Sequence, residues 1–215
     1  MSIAKTRHEY IHAGLSKKDL DEDPIRQFRC WFDQAMQANP YDWIEANAMT
    51  LATATPDGRP SARIVLLKEF GEEGFVFFTN YHSRKGNELA ANPRAAAVFW
   101  WPALARQVRI EGSVEKAPAP QSESYYHSRP RGSQLGALVS DQSRRLSNRQ
   151  ELEKKLKQLE ATYADTEIPL PENWGGYVLR PTTLEFWQGR SNRLHDRLLY
   201  YRDSDGGWKI ERLAP

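Results

Sequence analysis

The sequence is poor in three features that would narrow its function at once: cysteine, long apolar runs and an excess of one charge. Its single cysteine, Cys30, excludes an intrachain disulfide and a cysteine-based zinc cluster, and is typical of a reducing cytoplasm. No apolar run reaches the roughly 20 residues that a transmembrane helix needs, so we expect no membrane partner. The N-terminus lacks the apolar core of a secretory signal, and we therefore expect a cytoplasmic protein.

The charges nearly cancel, since 30 Lys and Arg stand against 28 Asp and Glu, for a formal net charge of +2. A broad basic field for nucleic acid needs a larger excess, so we expect no nucleic-acid partner. His8 and His12 have helical spacing but no third ligand beside them, and no metal site is predicted. The sequence is instead rich in rings, with 11% aromatic residues and seven tryptophans, which suit a core or a planar ligand.

The pattern of apolar residues predicts a single domain that is mainly β with flanking helices. Residues 1–22 are polar and without periodicity, which predicts a mobile N-terminal arm ahead of one domain over 23–215. A helical insertion is predicted over about 118–163, with its first helices broken at Pro130. The remaining apolar runs are linked by short turns rather than by crossover helices, which favours an antiparallel sheet or barrel.

About seven or eight strands are predicted, enough to close a small barrel. They begin at Ala48, and Pro56-Asp57-Gly58 marks the first hairpin turn. Near the C-terminus, residues 177–181 and 183–189 are predicted as two separate strands, and residues 193–202 as another. This last strand matters because cations occupy alternate positions along it.

Those alternating residues are Arg193, His195 and Arg197, within the stretch FWQGRSNRLHDRLLYYR. Side chains at every second position of a strand point to one side, so all three are expected on one face. Three such groups rarely align unless an anion lies against them. The pattern therefore predicts an anionic ligand beside this strand.

Three further stretches carry cations. Ser83–Lys85 predicts a capped helix start whose free N–H groups and two cations could bind a phosphate, although a solvated helix start explains it equally well. Residues 125–134, YYHSRPRGSQ, form either a second phosphate site or an exposed basic loop. The segment RIVLLK, residues 63–68, is by itself best interpreted as a core strand with charged ends.

Taken in order, RIVLLK, SRK, YYHSRPRGSQLG, EFWQG and RLHDR resemble the pyridoxine/pyridoxamine 5′-phosphate oxidase family, and the likeness runs from Arg7 to the final RLAP. The resemblance implies a split β-barrel FMN-binding fold and a homodimer with FMN at the subunit interface. It implies an oxidase that converts pyridoxamine 5′-phosphate and pyridoxine 5′-phosphate to pyridoxal 5′-phosphate. Hydride would pass from substrate C4′ to FMN, and dioxygen would reoxidise the flavin to give hydrogen peroxide.

The same resemblance assigns roles to individual residues. The implied FMN contacts are Arg63, Ile64, Val65, Leu66, Leu67, Lys68, Phe78, Thr79, Arg84, Lys85, Gln107, Gln142, Ser143, Trp187 and Arg197. The implied substrate contacts are Arg7, Tyr10, Lys68, Tyr125, Arg129, Ser133, Arg193 and His195. Arg193 and His195 are the implied catalytic pair, the first over the reacting carbon and the second positioning the substrate and handling a proton.

Three other classes stay open on the residues alone. A flavin reductase or nicotinamide-dependent reductase with a split barrel would share the flavin residues but would not need Tyr125, Arg129 and Ser133 together. A non-catalytic protein that binds flavin or pyridoxal phosphate would not need Arg193 and His195. A nucleic-acid-binding barrel conflicts with the nearly neutral charge.

Overall fold

The structure is a computed structural model, and it describes residues 9–10, 14–39, 41 and 44–215. Within these residues the α-helices are α1 (Pro24–Gln37), α2 (Arg84–Ala91), α3 (Ala119–Ser128), α4 (Arg131–Val139) and α5 (Arg149–Thr162). The strands are β1 (Ala48–Ala54), β2 (Pro60–Leu66), β3 (Glu69–Gly71), β4 (Gly74–Asn80), β5 (Arg94–Trp101), β6 (Arg106–Lys116), β7 (Trp174–Gln188), β8 (Asp196–Arg202) and β9 (Trp208–Leu213). No helix of the described residues is long and apolar enough to cross a membrane.

The described strands form one antiparallel sheet in the order β2-β1-β5-β6-β7-β4-β3, with β8 paired to β7 and β9 to β8. The sheet curls so that β2 contacts β4 from the other end of this path. The expected mainly β fold with flanking helices is confirmed. The break at Pro130 is also confirmed, because α3 ends at Ser128 and α4 begins at Arg131. The division into an arm, one domain and an insertion stays a prediction.

The long strand β7 corrects the prediction of two strands over 177–181 and 183–189. It runs unbroken for 15 residues because a bulge carries it past Pro181, which has no N–H to donate. Thr183 pairs with Glu111 and Pro181 pairs with Gly112, so Thr182 is the extra residue. Gly112 permits this close approach, since a Cβ there would lie 1.9 Å from the carbonyl oxygen of Arg180.

The core lies between α1 and the concave side of the sheet. The Asp23 side chain caps α1 by accepting the N–H of Ile25 at 2.8 Å, and this start aims one face of the helix at the strands. Phe28 meets Phe75 edge to face at 4.9 Å between ring centroids. Such fully buried aromatic rings stabilise the fold by roughly 2–3 kcal/mol each. Through this packing, α1 closes this side of the barrel.

The described part of the N-terminal 22 residues lies against the C-terminal strands. The backbone N–H of Leu15 donates to the Asp196 carboxylate at 3.0 Å, and its carbonyl accepts from Arg212 at 2.8 Å. Farther along, the Tyr200 hydroxyl donates to the carbonyl of Asp21 at 2.6 Å. These hydrogen bonds join residues from opposite ends of the sequence. The mobility expected for residues 1–22 stays a prediction.

Candidate active site

A cavity of about 680 Å³ opens between β2, β4 and the helices α3 and α4, a volume typical of small-molecule sites. It gathers most of the residues predicted for FMN and for the substrate phosphate. Those that line it are Ile64, Val65, Leu66, Lys68, Phe78, Thr79, Lys85, Tyr125, Arg129, Ser133 and Gln142. Trp174, at the start of β7, completes its aromatic wall and was not predicted as a site residue.

Lys85 is the buried cation of this cavity, with only 8% of its surface exposed. Helix α2 places it there, because the Ser83 side chain caps the helix by accepting the N–H of Gly86, which confirms the predicted helix start. The Lys85 ammonium donates to Thr79 Oγ1 at 2.9 Å and to Gln142 Oε1 at 2.8 Å. Burial, and then the charge of Arg63, lower the pKa of Lys85 to about 8. An anion beside the ammonium would stabilise its charged form.

Arg129 is a second cation, at the junction of α3 and α4. Its guanidinium stacks 4.8 Å from the centroid of Trp174. Its NH1 atom is buried and has no hydrogen-bond partner among the described residues. Burial lowers the pKa of Arg129, because a charge away from water is costly unless it is paired. A phosphate in the cavity would supply the missing acceptor.

A stack of rings forms the flat wall beside Arg129. Phe78 and Tyr125 lie 4.0 Å apart between centroids at an interplanar angle of 22°, and Trp174 is nearly parallel to Phe78 at 5.5 Å. The wall suits an aromatic ligand ring.

Arg84 and Ser143 lie apart from this cavity, in a neighbouring cleft of about 570 Å³ that shares Gln142 with it. Ser143 has a left-handed backbone, with φ of 73°, at the tip of the loop after α4. Leu67 is directed into the core, and its backbone N–H and C=O both bond Asn47. The structure therefore brings Leu67 to neither opening.

Glu88 was missed by the sequence reasoning, although it lies four residues after Arg84 on α2. Burial raises its pKa, but hydrogen bonds from Ser61, Thr53 and Arg84 outweigh burial and lower it to about 2. The carboxylate also lies 3.4 Å from Arg63, whose guanidinium is further held by Thr53 and by the backbone. The four-residue spacing of Arg84 and Glu88 on a predicted helix was the signal that could have revealed this ion pair.

A second group of predicted residues lies on the outer side of the sheet. Gln107 on β6 pairs with Trp187 on β7, which pairs with Arg197 on β8. Their neighbours along the strands, such as Phe186, are buried in the core, so alternation turns these three side chains outward. The Arg197 guanidinium bonds the Glu185 carboxylate at 2.7 and 3.0 Å. Among the described residues that line the cavity, none belongs to β6 or β8.

The prediction that Arg193, His195 and Arg197 share one strand face is wrong. β8 begins only at Asp196, and residues 191–193 form a 3-10 turn. Asn192 and Arg193 have left-handed φ values of 55° and 62°, which reverse the chain after β7 instead of extending it. Arg193 and His195 thus sit in the β7–β8 connection, where no alternation applies.

His195 nevertheless joins the outer group. Its ring lies 4.5 Å from that of Trp187 and 5.9 Å from that of Tyr10, centroid to centroid. Burial, and then the charge of Arg193, lower the pKa of His195, which favours the neutral ring. Tyr10 is thus placed beside two other predicted site residues, whereas Arg7 lies outside the described residues.

Comparison with known proteins relates the chain to one family along most of its length. The family model described as pyridoxamine 5′-phosphate oxidase matches residues 34–163, and that of the pyridoxine 5′-phosphate oxidase C-terminal dimerisation region matches residues 174–215. The pyridoxine/pyridoxamine 5′-phosphate oxidase of Salinibacter ruber is 58% identical over 215 residues, 99% of each chain. That of Ralstonia pickettii is 55% identical, over 100% of this chain and 99% of its own.

Solved structures show the same fold. PhzG from Burkholderia lata, in complex with tetrahydrophenazine-1-carboxylic acid, superposes with a TM-score of 0.88 at 30% identity, over 97% of this chain and 100% of its own. A pyridoxamine 5′-phosphate oxidase-related, FMN-binding protein from Nostoc punctiforme gives a TM-score of 0.69 at 20% identity, over 87% of this chain and 97% of its own. The second likeness concerns the fold alone.

Proposed function

The chain belongs to the pyridoxamine 5′-phosphate oxidase family, and from this membership we propose that it oxidises pyridoxamine 5′-phosphate and pyridoxine 5′-phosphate to pyridoxal 5′-phosphate with FMN. The observation that carries the proposal is the presence of two separate cations withdrawn from solvent, the buried Lys85 and the half-buried Arg129, in one aromatic-walled cavity. Lys85 is held by Thr79 and Gln142, and Arg129 is held against Trp174. A flavin mononucleotide and a phosphorylated substrate each bring one phosphate, so each cation has a partner.

The residues of the cavity fit FMN. Lys85, with Arg63 and Arg84 nearby, would bind its phosphate, and the apolar residues of β2 would border its ring. Lys85 is buried beside the charge of Arg63, which lowers its pKa, and the negative charge of a phosphate would stabilise its charged form. When bound, FMN supplies the hydride acceptor and the reaction with dioxygen that releases hydrogen peroxide.

At the substrate end, Arg129 would bind the phosphate, with help from Tyr125 and Ser133. The parallel rings of Phe78 and Tyr125 would keep water from the cavity wall beside it. Arg193 would orient the carbon that loses hydride, and His195 would hold the group attached to that carbon through a hydrogen bond. These assignments give Lys85, Arg129 and Arg193 each a defined task.

We propose that the functional unit is a homodimer with FMN at the interface. In one chain, Gln107, Trp187 and Arg197 lie on the outer face of the sheet, away from the cavity that holds Lys85. A second copy can bring its outer group to this cavity. The match of residues 174–215 to a dimerisation region supports the pairing.

Both surfaces that would meet in this dimer, the cavity rim and the outer face, carry exposed apolar side chains. Ile64, which lines the cavity, is 64% exposed, and Trp100, the cross-strand neighbour of Gln107, is 46% exposed. Large apolar side chains exposed beside a ligand cavity mark an interaction surface. Because a two-fold interface repeats every contact, each cavity would receive one outer group.

The activity is tested with purified protein supplied with FMN and pyridoxine 5′-phosphate. We expect a bound flavin spectrum, formation of pyridoxal 5′-phosphate and an equal amount of hydrogen peroxide. Oxidation of a nicotinamide cofactor without pyridoxal phosphate would instead assign a reductase. Flavin binding without turnover of either substrate would assign a binding protein.

The shared site is tested by mixing two variants that should each have low activity, Arg129→Leu and Arg193→Leu, and letting their subunits exchange. Random pairing makes half of the dimers mixed, and each mixed dimer has one intact site, so about a quarter of the wild-type activity should return. If both residues served the cavity of their own chain, mixing would restore nothing. Each variant alone, treated in the same way, is the control.

A further inference from the structure

The carboxylate of Glu88 is the meeting point of two strands and a helix. Its Oε2 atom accepts from Thr53 Oγ1 on β1 and from Ser61 Oγ on β2, each at 2.5 Å, and lies 3.4 Å from the Arg63 guanidinium. Its Oε1 atom accepts from Arg84 Nε at 2.8 Å. Glu88 is 6% exposed, and four donors therefore surround its carboxylate away from water, three at Oε2 and one at Oε1.

Two of these donors, Arg63 and Arg84, belong with Lys85 to the group proposed to bind the flavin phosphate. Arg63 is near enough for its charge to lower the pKa of Lys85. Glu88 stays ionised, since its hydrogen bonds hold its pKa at about 2. Three cations and one carboxylate leave two positive charges, which match the charge of a phosphate dianion.

The rest of the network fixes where these guanidiniums sit. Arg63 NH1 donates to Thr53 Oγ1 at 2.6 Å and to the carbonyl of Leu51 at 3.2 Å, and NH2 bonds Ser61. Thr53 and Ser61 are themselves bound to Glu88. Long arginine side chains lose conformational freedom when they bind a ligand, and a scaffold that orders them in advance removes that cost.

We propose that Glu88 is a positioning residue for the flavin phosphate, acting through Arg63 and Arg84. The proposal rests on the proposed function, because it requires FMN to bind at Lys85. It goes beyond it by making an acidic residue, which would repel the phosphate by charge alone, a requirement for tight binding. Glu88 does not touch the ligand. It sets the directions in which two cations present their remaining N–H groups.

Charge and position predict opposite effects for Glu88→Gln. Removing a negative charge near a phosphate site strengthens anion binding if only the Coulomb energy matters. If Glu88 orders the arginines, the same change loosens them and weakens binding. Loss of one charge-assisted contact corresponds to about a tenfold or greater change in affinity.

The test titrates flavin-free wild-type protein and Glu88→Gln with FMN and with riboflavin, which has the ring but no phosphate. We expect the dissociation constant for FMN to rise by about tenfold while that for riboflavin stays unchanged. Tighter FMN binding would overturn the proposal. An equal loss for both ligands would also overturn it, since Glu88 would then merely support the ring site or the fold.

Glu153→Gln is the matched control. Arg149 Nε and Glu153 Oε1 repeat the four-residue spacing and the 2.8 Å distance of Arg84 and Glu88, but on the exposed surface of α5. This variant should bind FMN as the wild type does. If Glu88→Gln failed to fold, Glu88→Asp, which keeps the charge but is shorter by one methylene, would undergo the same comparison. A wild type that binds neither flavin would refute the proposed function, which is a separate outcome.

Discussion

His195 accepts a hydrogen bond at Nδ1 from the backbone N–H of Arg190, with 3.1 Å between the two nitrogens. A ring nitrogen that accepts carries no proton, so the proton of the neutral imidazole is on Nε2. Nε2 can therefore donate a hydrogen bond but cannot take up a proton. This tautomer agrees with the proposed role of His195, which is to hold the substrate rather than to act as a base.

We therefore expect His195→Asn to retain clearly more activity than His195→Leu, because Asn keeps a hydrogen-bonding amide. A general base contributes roughly 10²–10⁴-fold, and if His195 had that role both variants would fall by the same large factor. Steady-state kinetics with pyridoxine 5′-phosphate at saturating FMN distinguish the two cases. Normal kinetics in both variants would show that the ring has no role in turnover.

The pH dependence of His195 has a definite sign. Burial and Arg193 lower its pKa below the ordinary value, so the neutral ring is present above that lowered pKa and the charged ring below it. Protonation at Nδ1 breaks the bond from Arg190. We expect kcat/KM to fall on the acid side in the wild type. In His195→Asn, which does not titrate, this acid limb should be lost.

The lowered pKa of Lys85 predicts that the affinity for FMN depends on pH on the alkaline side. Its pKa of about 8 means that the free protein has a charged ammonium at pH 7 and mostly a neutral amine at pH 9. A phosphate binds the charged form, so FMN affinity should fall as the pH rises through 8, by up to about tenfold per pH unit. Fluorescence titration from pH 7 to 9 measures this change.

The control for this dependence is Lys85→Ala. It should weaken FMN binding by roughly 1.5–3 kcal/mol at pH 7 and remove the alkaline dependence, while turnover at saturating FMN changes less. An unchanged affinity at pH 7 would rule out the phosphate assignment. A steep alkaline loss in both proteins would assign the titration to another group.

Arg193→Leu should damage both substrate binding and the hydride step, raising KM and lowering kcat. The left-handed backbone of Arg193, with φ of 62°, costs leucine about as much as arginine, so the substitution tests the side chain. Arg149→Leu, on exposed α5, serves as the control for loss of a surface cation. Wild-type kcat and KM in Arg193→Leu would remove its catalytic role.

Replacing Gly86 by alanine should lower stability, although helix propensity alone favours alanine over glycine. A Cβ at this helical position would lie 2.1 Å from the carbonyl oxygen of Tyr81, so Gly86→Ala should destabilise the protein by about 1–3 kcal/mol. Gly132, in α4, has no atom within 4 Å of its Cβ position. Gly132→Ala should therefore be neutral or stabilising by up to about 1 kcal/mol. Thermal unfolding of the two variants compares them directly.

Local signals in the sequence were sufficient for most of the fold. Ser83 opens α2 and Pro130 separates α3 from α4, because a cap and a missing N–H act within one turn of the chain. The same reasoning failed at Pro181, where it predicted a strand end. Pairing with β6 and a bulge at Thr182 overrode that local signal, and such pairing is not visible in the residues around Pro181.

For the site, it was harder to predict where the residues lie than to predict which residues line the cavity. Alternation placed Arg193 with Arg197 on a strand, but two residues with left-handed backbones put Arg193 in a turn. An arginine in the sequence does not indicate a left-handed backbone. The separation of Gln107 from Lys85 depends on the order of strands across the sheet. Glu88 escaped notice because its partners on β1 and β2 are 25 to 35 residues away.

The bonds that Leu15 makes with Asp196 and Arg212 also impose an order on the folding of a growing chain. Leu15 is synthesised 181 residues before Asp196, which at 5–20 residues per second is roughly 10–35 s. The hairpin of β1 and β2 needs no such delay, because its strands are adjacent in sequence. The segment around Leu15 is therefore synthesised early but docks only at the end of translation, and until then it is open to chaperones and proteases.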